Sequence, residues 1–272
     1  MTAGAESDCD VSVVMGVWRT PARYLRAAIQ SVLDQSHRSL ELIIIEDPSE
    51  ERAADVIGKF NDPRIRHRLR EARGGLASAL REGVSLARAP LIARLDGDDI
   101  CEPDRLAEQR KFLYENPGIS VVGSGLSILD EEDRLIGRRI YPQTHDDIAA
   151  TMRRYNCIAH PSVMFRKADV EVVGGYDASQ HLEDYELWCR MIAGGYRFAN
   201  LPAELVRYRF HLESLRSTKV HSVIRDTIAV KERYFRGKFT WGDRLRLLLE
   251  RALLVLPPAL VLWLFSKWQY RR

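Results

Sequence analysis

The stretch Leu91-Ile92-Ala93-Arg94-Leu95-Asp96-Gly97-Asp98-Asp99-Ile100 sets three carboxylates around one glycine at the end of an apolar run. Such a run predicts a buried strand, and this one ends abruptly in acid. Three carboxylates at one strand end repel one another and lose hydration, so something positive must neutralise them. Hard oxygen ligands suit a divalent cation, and Mg²⁺ keeps water and substrate phosphates among its ligands. Gly97 lets the backbone turn sharply and leaves room for a ligand to come close. The expected chemistry is metal plus phosphate at the carboxyl end of a strand. A solvated Asp-Gly turn is the competing reading.

Other residues could share that chemistry. Glu46-Asp47 closes a second apolar run, Leu40 to Ile45, and makes a second acidic strand end. The same pair could simply cap the next helix. Glu183-Asp184 opens a helical pattern, where acids also complement the helix dipole. His160 precedes a proline and His211 follows a short apolar strand, so each could be structural or a surface histidine. Gly74-Gly75 fits a tight turn better than a phosphate cradle. No G-x-G-x-x-G follows the first strand, which argues against a dinucleotide cofactor. The acidic loop also lacks the glutamate that would complete an EF-hand.

The elements that must position these groups alternate. Val11 to Val17 is a β-branched run and predicts a strand. Thr20-Pro21 predicts a helix start, with Leu25, Ile29, Val32 and Leu33 on one face. After Leu40 to Ile45 come a short helix over Ala53 to Phe60 and an exposed strand over Ile65 to Leu69. A second amphipathic helix carries Leu76, Leu80, Val84 and Ala87, and leads into the strand at Leu91. Beyond the acidic loop, Pro103 predicts a helix start, Ile119 to Gly123 a strand and Asp130 to Asp133 a hairpin tip. Leu182 to Ala193 predicts a helix, and Leu205 to Phe210 a last short strand ending at His211. The alternation defines an α/β fold, an open and mostly parallel sheet with helices on both faces and ligands at its carboxyl ends.

At 272 residues, 46% hydrophobic and 29% charged, the composition is that of an ordinary globular protein. A formal net charge of +3 gives no global field for nucleic acid. Residues 236–272 nevertheless carry eight Lys/Arg against two acids, net +6, which leaves −3 for the rest. The four dispersed cysteines fit reduced thiols in a cytosolic compartment. The polar N-terminus shows no secretory signal. Residues 1–9 are expected to be flexible, 10–215 to form the main domain, and 216–272 a C-terminal helical segment.

Taken in order, these motifs resemble family 2 glycosyltransferases of the GT-A fold. Glu46-Asp47-Pro48-Ser49 is similar to that family's Asp-Asp-Gly-Ser base loop, with Pro48 in place of the usual glycine. Asp96-Gly97-Asp98-Asp99 resembles its D-x-D-D signature. His160-Pro161-Ser162, Gly174-Gly175-Tyr176-Asp177, Glu183-Asp184-Tyr185-Glu186-Leu187-Trp188 and Tyr208-Arg209-Phe210-His211 follow in the family's sequence. The resemblance implies inverting, metal-dependent transfer of a sugar from a nucleotide-sugar, a UDP-sugar above others, to a glycan or lipid-linked acceptor in cell-surface polysaccharide or glycolipid assembly. It implies Mg²⁺ or Mn²⁺ held by Asp98, with Asp96 and His211. Glu46, Asp47, Val17, Asp96, Asp99 and His160 would contact the nucleotide-sugar. Asp184 would be the catalytic base, and Glu183 would position a sugar. Nucleotidyl transfer and a non-catalytic nucleotide- or metal-binding module are the alternatives.

The tail has a separate character. Residues 252–266 hold no charge, and fifteen helical residues reach only about 22 Å, short of the ~30 Å hydrocarbon core. Pro257-Pro258 would break that helix. Trp241, Trp263, Phe265 and Trp268 beside basic residues suit a membrane interface. The tail is therefore expected to lie on anionic lipid at the cytoplasmic face of the inner membrane, with docking on the protein's own core or on a second subunit as the alternative.

Overall fold

The computed structural model describes residues 9–211, 220–258 and 260–261. Residues 1–8, Ser214, Trp263, Phe265 and Trp268 therefore lie outside the described residues, as do parts of the expected N-terminal and C-terminal segments.

Among the described residues, nine strands form one sheet in the order β3-β2-β1-β4-β8-β6-β9-β5, with β7 paired to β6. The strands are β1 (Val11–Val17), β2 (Leu40–Glu46), β3 (Ile65–Leu69), β4 (Leu91–Arg94), β5 (Ile100–Cys101), β6 (Ile119–Leu129), β7 (Leu135–Arg139), β8 (Met164–Arg166) and β9 (Arg197–Arg209). The first four in sequence run parallel, and β8 enters antiparallel between β4 and β6. All seven residues of β2 are buried, as expected of a strand covered on both faces. Side-chain alternation divides the core. Val11, Val13 and Met15 pack on one side with the apolar face of α1 (Ala22–Leu33), while Val14, Ile43 and Ile45 pack on the other with α3 (Gly75–Leu86).

Four details depart from the sequence reading. The first helix begins at Ala22, and Thr20 makes no side-chain cap; Pro21 takes the cap position with extended backbone. The helix expected at Pro103 begins at Arg105 (α4, Arg105–Glu115). Leu76 is 36% exposed, because the first turn of α3 opens onto a crevice instead of the core. The last strand spans thirteen residues instead of six. Pro202 lacks an N–H for the ladder, and the register beside it shifts between Ser124/Gly125, so a proline that reads as a breaker is accommodated as an irregularity.

Three buried polar side chains fasten the acidic loop to this frame. Arg105 donates to the carbonyls of Arg94 (2.7 Å) and Val163 (3.1 Å) just before the loop. Arg209 at the end of β9 donates from Nε to the Asp98 carbonyl at 3.1 Å and from its backbone N–H to Asp99 Oδ1 at 2.8 Å. Gln35 Nε2 donates to the Glu102 carbonyl at 2.7 Å. A backbone so fully satisfied gives the carboxylates one geometry.

On the C-terminal side, α8 (Val220–Phe235) adds Val230 and Phe235 to the core under α7 (Glu183–Ala193), and α9 (Trp241–Leu253) packs on α8. Among the described residues, no helix is long and apolar enough to cross a membrane.

Candidate active site

The carboxyl ends of β1, β2 and β4 open onto a crevice of about 300 Å³, lined among others by Val17, Trp18, Asp47, Arg73, Asp96 and Asp98. Each wall follows from local sequence. β1 ends at Val17, whose carbonyl accepts from the Asp47 N–H at 2.9 Å and ties the first two strand ends together. Gly97 packs against Val17 and Thr20, where a Cβ would come within 3.4 Å of both side chains.

Asp96, Asp98 and Asp99 lie together, with one carboxylate oxygen from each within 4.8 Å of the others. Asp96 is held by a two-pronged ion pair with buried Arg94, Nη1 lying 2.6 Å from Oδ2. Asp98 Oδ2 shares a 2.8 Å hydrogen bond with His211 Nε2, and His211 Nδ1 lies 3.7 Å from Glu131. Asp99 is 1% exposed, and its Oδ2 has no hydrogen-bond partner. Burial, with the charges of Asp96 and Asp98, drives its carboxyl well above the usual range. An orphaned, buried carboxylate oxygen beside two further carboxylates is the donor set of a hard divalent cation, so these residues fit the metal.

A second group lies near enough to the first for the Asp184 charge to act on Asp96. His160, Glu183 and Asp184 also bring one ligand atom each within 4.8 Å. His160 Nε2 bonds the Tyr176 hydroxyl at 2.8 Å, and burial beside Arg94 holds the imidazole well below its ordinary pKa and neutral. Burial and the Asp184 charge push Glu183 up to about 7. Burial also raises Asp184, against the hydrogen bonds of Tyr185 N–H and Asn156 Nδ2, both at 2.7 Å. The Arg94 guanidinium opposes the upward shift of both carboxyls.

The two base-loop acids have other duties. Glu46 accepts from the backbone N–H groups of Ala53 (2.7 Å) and Ala54 (3.1 Å) and pairs with His67 at 2.8 Å. It is 2% exposed and caps the short helix α2 (Ala54–Ile57), so it presents no free oxygen to a nucleotide. These contacts are those of the cap alternative for Glu46. Asp47 reaches the crevice wall, where its carboxylate collects Arg70 (2.8 Å) and the N–H groups of Gly74 (3.2 Å) and Gly75 (2.8 Å). With those N–H groups committed, the Gly74-Gly75 turn is a bend with positive φ at Gly75 and no phosphate cradle.

Four residues at the site had no expected site role. Trp18 stands at the crevice mouth, 37% exposed, with the Arg73 guanidinium 3.4 Å from its ring centre. An aromatic directly after the first strand is the legible signal for it. Arg94 is hidden inside an apolar run. Tyr176 and Asn156 reach the second group from distant segments.

Comparison with known proteins agrees with this architecture. Residues 12–173 match the model of glycosyl transferase family 2. The O-antigen biosynthesis glycosyltransferase WbnJ of Escherichia coli is 32% identical over 209 residues, covering 75% of this chain and 81% of that protein. The UDP-Gal:α-D-GlcNAc-diphosphoundecaprenol β-1,3-galactosyltransferase of Escherichia coli is 27% identical, covering 75% of each. Among solved structures, TarS 1–349 of S. aureus in complex with UDP superposes with a TM-score of 0.63 at 14% identity, covering 88% of this chain and 69% of that one. The chain belongs to glycosyl transferase family 2. It is a glycosyltransferase, with the GT-A-type sheet and helices of that structural neighbour.

Proposed function

We propose that the protein transfers a sugar from a UDP-sugar to a hydroxyl of a glycan or lipid-linked acceptor, with inversion at the anomeric carbon and a divalent cation, in cell-surface polysaccharide assembly. The observation that carries this reading is the two acidic groups, Asp96-Asp98-Asp99 and Glu183-Asp184, close enough that their charges act on each other and on one buried arginine. An inverting transfer needs two poles, one stabilising the departing diphosphate and one taking the acceptor's proton on the opposite side of the sugar. The names of the relatives support the substrate class, since one uses UDP-Gal on a lipid diphosphate and another serves O-antigen biosynthesis.

Asp98, with Asp96 and His211, would hold Mg²⁺ or Mn²⁺, which when bound neutralises charge on the leaving phosphate. Asp99 braces the loop from below through Arg209. Asp184 is the base. The two hydrogen bonds it accepts favour the ionised form against the burial that raises it, and Glu183, pushed up to about 7, is partly protonated at neutral pH. Protonated Glu183 can donate to a sugar hydroxyl, and neutral His160 lies beside the pair. Trp18, which lines the crevice together with Asp47, offers the nucleobase an aromatic ring. Base–aromatic stacking contributes about 1–3 kcal/mol, so Trp18→Ala is expected to weaken UDP binding roughly 5- to 150-fold in calorimetry. An unchanged Kd would remove Trp18 from the base site.

Residues 10–215 are the catalytic unit in this reading, and the C-terminal helices attach it to the cytoplasmic face of the inner membrane. α9 turns Asp243 and Leu247 inward but leaves Trp241 (79%), Leu245 (43%), Leu248 (59%) and Leu249 (61%) exposed, with Arg244 among them. An apolar helical face flanked by basic residues complements anionic lipid. Cosedimentation with phosphatidylglycerol vesicles is expected to fall at least tenfold when those four residues are changed to Ser. Equal recovery of both proteins would refute the attachment.

A panel of nucleotide-sugars, with and without Mg²⁺ or Mn²⁺ and a lipid-linked acceptor, tests the proposal. Metal-dependent release of UDP from one UDP-sugar is the expected outcome. Binding of no nucleotide at all would contradict it.

A further inference from the structure

We propose that Asn156 positions the Asp184 carboxylate for proton transfer, and that α8 and α9 hold Asn156 in place. This rests on the reading of Asp184 as the base. Asn156 lies in the turn after α5 (His145–Met152), and its Nδ2 donates to Asp184 Oδ2 at 2.7 Å. Its Oδ1 accepts from the Ile158 N–H at 3.1 Å, so both ends of the amide are engaged and its orientation is set. The other Asp184 oxygen takes the Tyr185 N–H. The carboxylate is therefore held at both oxygens, by two elements 28 residues apart.

The C-terminal helices converge on those same two elements. Upstream of Asn156, Arg153 Nε and Arg154 Nε donate to the two oxygens of Asp243 on α9, at 3.3 and 3.1 Å. The Asp243 side chain is fully buried and closes a capping box with Thr240, so it cannot drift. On α7, two residues after Asp184, Glu186 accepts from the Tyr234 hydroxyl of α8, and its other oxygen takes Arg190 at 2.8 Å. Lys231 and Glu250 then lock α8 to α9 at 2.7 and 2.8 Å. Buried ion pairs lose much of their attraction to desolvation and are weak sources of stability. What several of them at one interface supply is a fixed geometry, here for the turn and the helix that share Asp184. These helices lie beyond residues 12–173, the part matched by the family model.

The test uses the full-length protein and the UDP-sugar that the panel turns over. A misplaced catalytic group costs up to about 100-fold in rate, so Asn156→Ala is expected to lower kcat about 10- to 100-fold with donor KM within about twofold. Asp243→Asn is expected to lower kcat about 3- to 10-fold, and to add nothing in the Asn156→Ala background, because both act through one contact. A substrate-free measurement follows the ¹³C resonance of the Asp184 carboxyl through a pH titration. The charges of Glu183 and Cys189 on its own helix, of Arg94 and Asp96 at the end of β4, and of Tyr176 act on Asp184, and His160 lies beside it, in both proteins. Loss of the amide donor should therefore move the midpoint upward. Wild-type kcat and midpoint in Asn156→Ala, or an Asp243→Asn effect confined to Tm, would overturn the proposal. An active Asp184→Asn enzyme would instead overturn the reading beneath it.

Discussion

Asp184→Asn is expected to lower kcat by about 10²–10⁴-fold, the usual contribution of a positioned general base, while UDP still binds with unchanged affinity. The amide fits the same space, and Tyr185 N–H still finds an oxygen there, so the fold should be retained. It cannot take up the acceptor's proton. A second consequence can be read from the remaining carboxyl. Burial and the Asp184 charge hold Glu183 at about 7, and burial persists in the variant while the charge does not. The Glu183 pKa should therefore fall, and it should be ionised at neutral pH where the wild-type side chain is partly protonated. Steady-state rates, calorimetry with UDP and a carboxyl titration by NMR measure all three. Full activity in Asp184→Asn would exclude it as the base, and an unchanged Glu183 pKa would show that the two carboxyls do not interact.

Asp98→Ala should have an effect of similar size for a different reason. Charge stabilisation at a leaving phosphate by a cation amounts to several kcal/mol, so loss of the carboxylate nearest His211 is expected to cost at least about 10³-fold in kcat/KM. Asp98 and His211 share a 2.8 Å hydrogen bond, which the variant also removes. Mn²⁺ binding followed by electron paramagnetic resonance should weaken at least tenfold, and UDP affinity should lose its dependence on the metal. Glu46→Gln makes the contrast. Glu46 is an acid at a strand end as well, yet it holds Ala53, Ala54 and His67, so its loss should lower Tm and leave metal binding alone. Retained Mn²⁺ affinity in Asp98→Ala would move the metal site away from this loop.

Much of the frame is legible in the sequence because buried strands and amphipathic helices write strong patterns. The β-branched run of β1, the fully buried β2 and the apolar stripe of α1 were expected where they stand. Only the end of β9 is legible, since Asn200 and Pro202 interrupt its apolar pattern and the partner strand alone shows how the ladder passes them. Among candidate site residues, the acidic loop is legible from residue type, whereas the role of Glu183-Asp184 comes from the resemblance to the family. Glu46 could not be resolved that way. An acid closing a strand looks the same whether it meets a ligand or the N–H groups of the next turn, and the difference lies in contacts seven and eight residues on. Arg94 sits in an apolar strand as though it were a core position, and its meaning appears only when two acidic groups fold around it. Asn156 meets Asp184 through tertiary packing and leaves no local signature.

The central claim is that the two carboxylate groups work on opposite sides of one sugar. The most direct measurement is the anomeric configuration of the first product formed from an α-linked UDP-sugar and a lipid-linked acceptor, followed by ¹H NMR during the reaction with Mg²⁺ or Mn²⁺. A β-linked product from the outset is predicted. An α-linked first product would contradict the account, because retention leaves no place for a single base acting opposite the diphosphate.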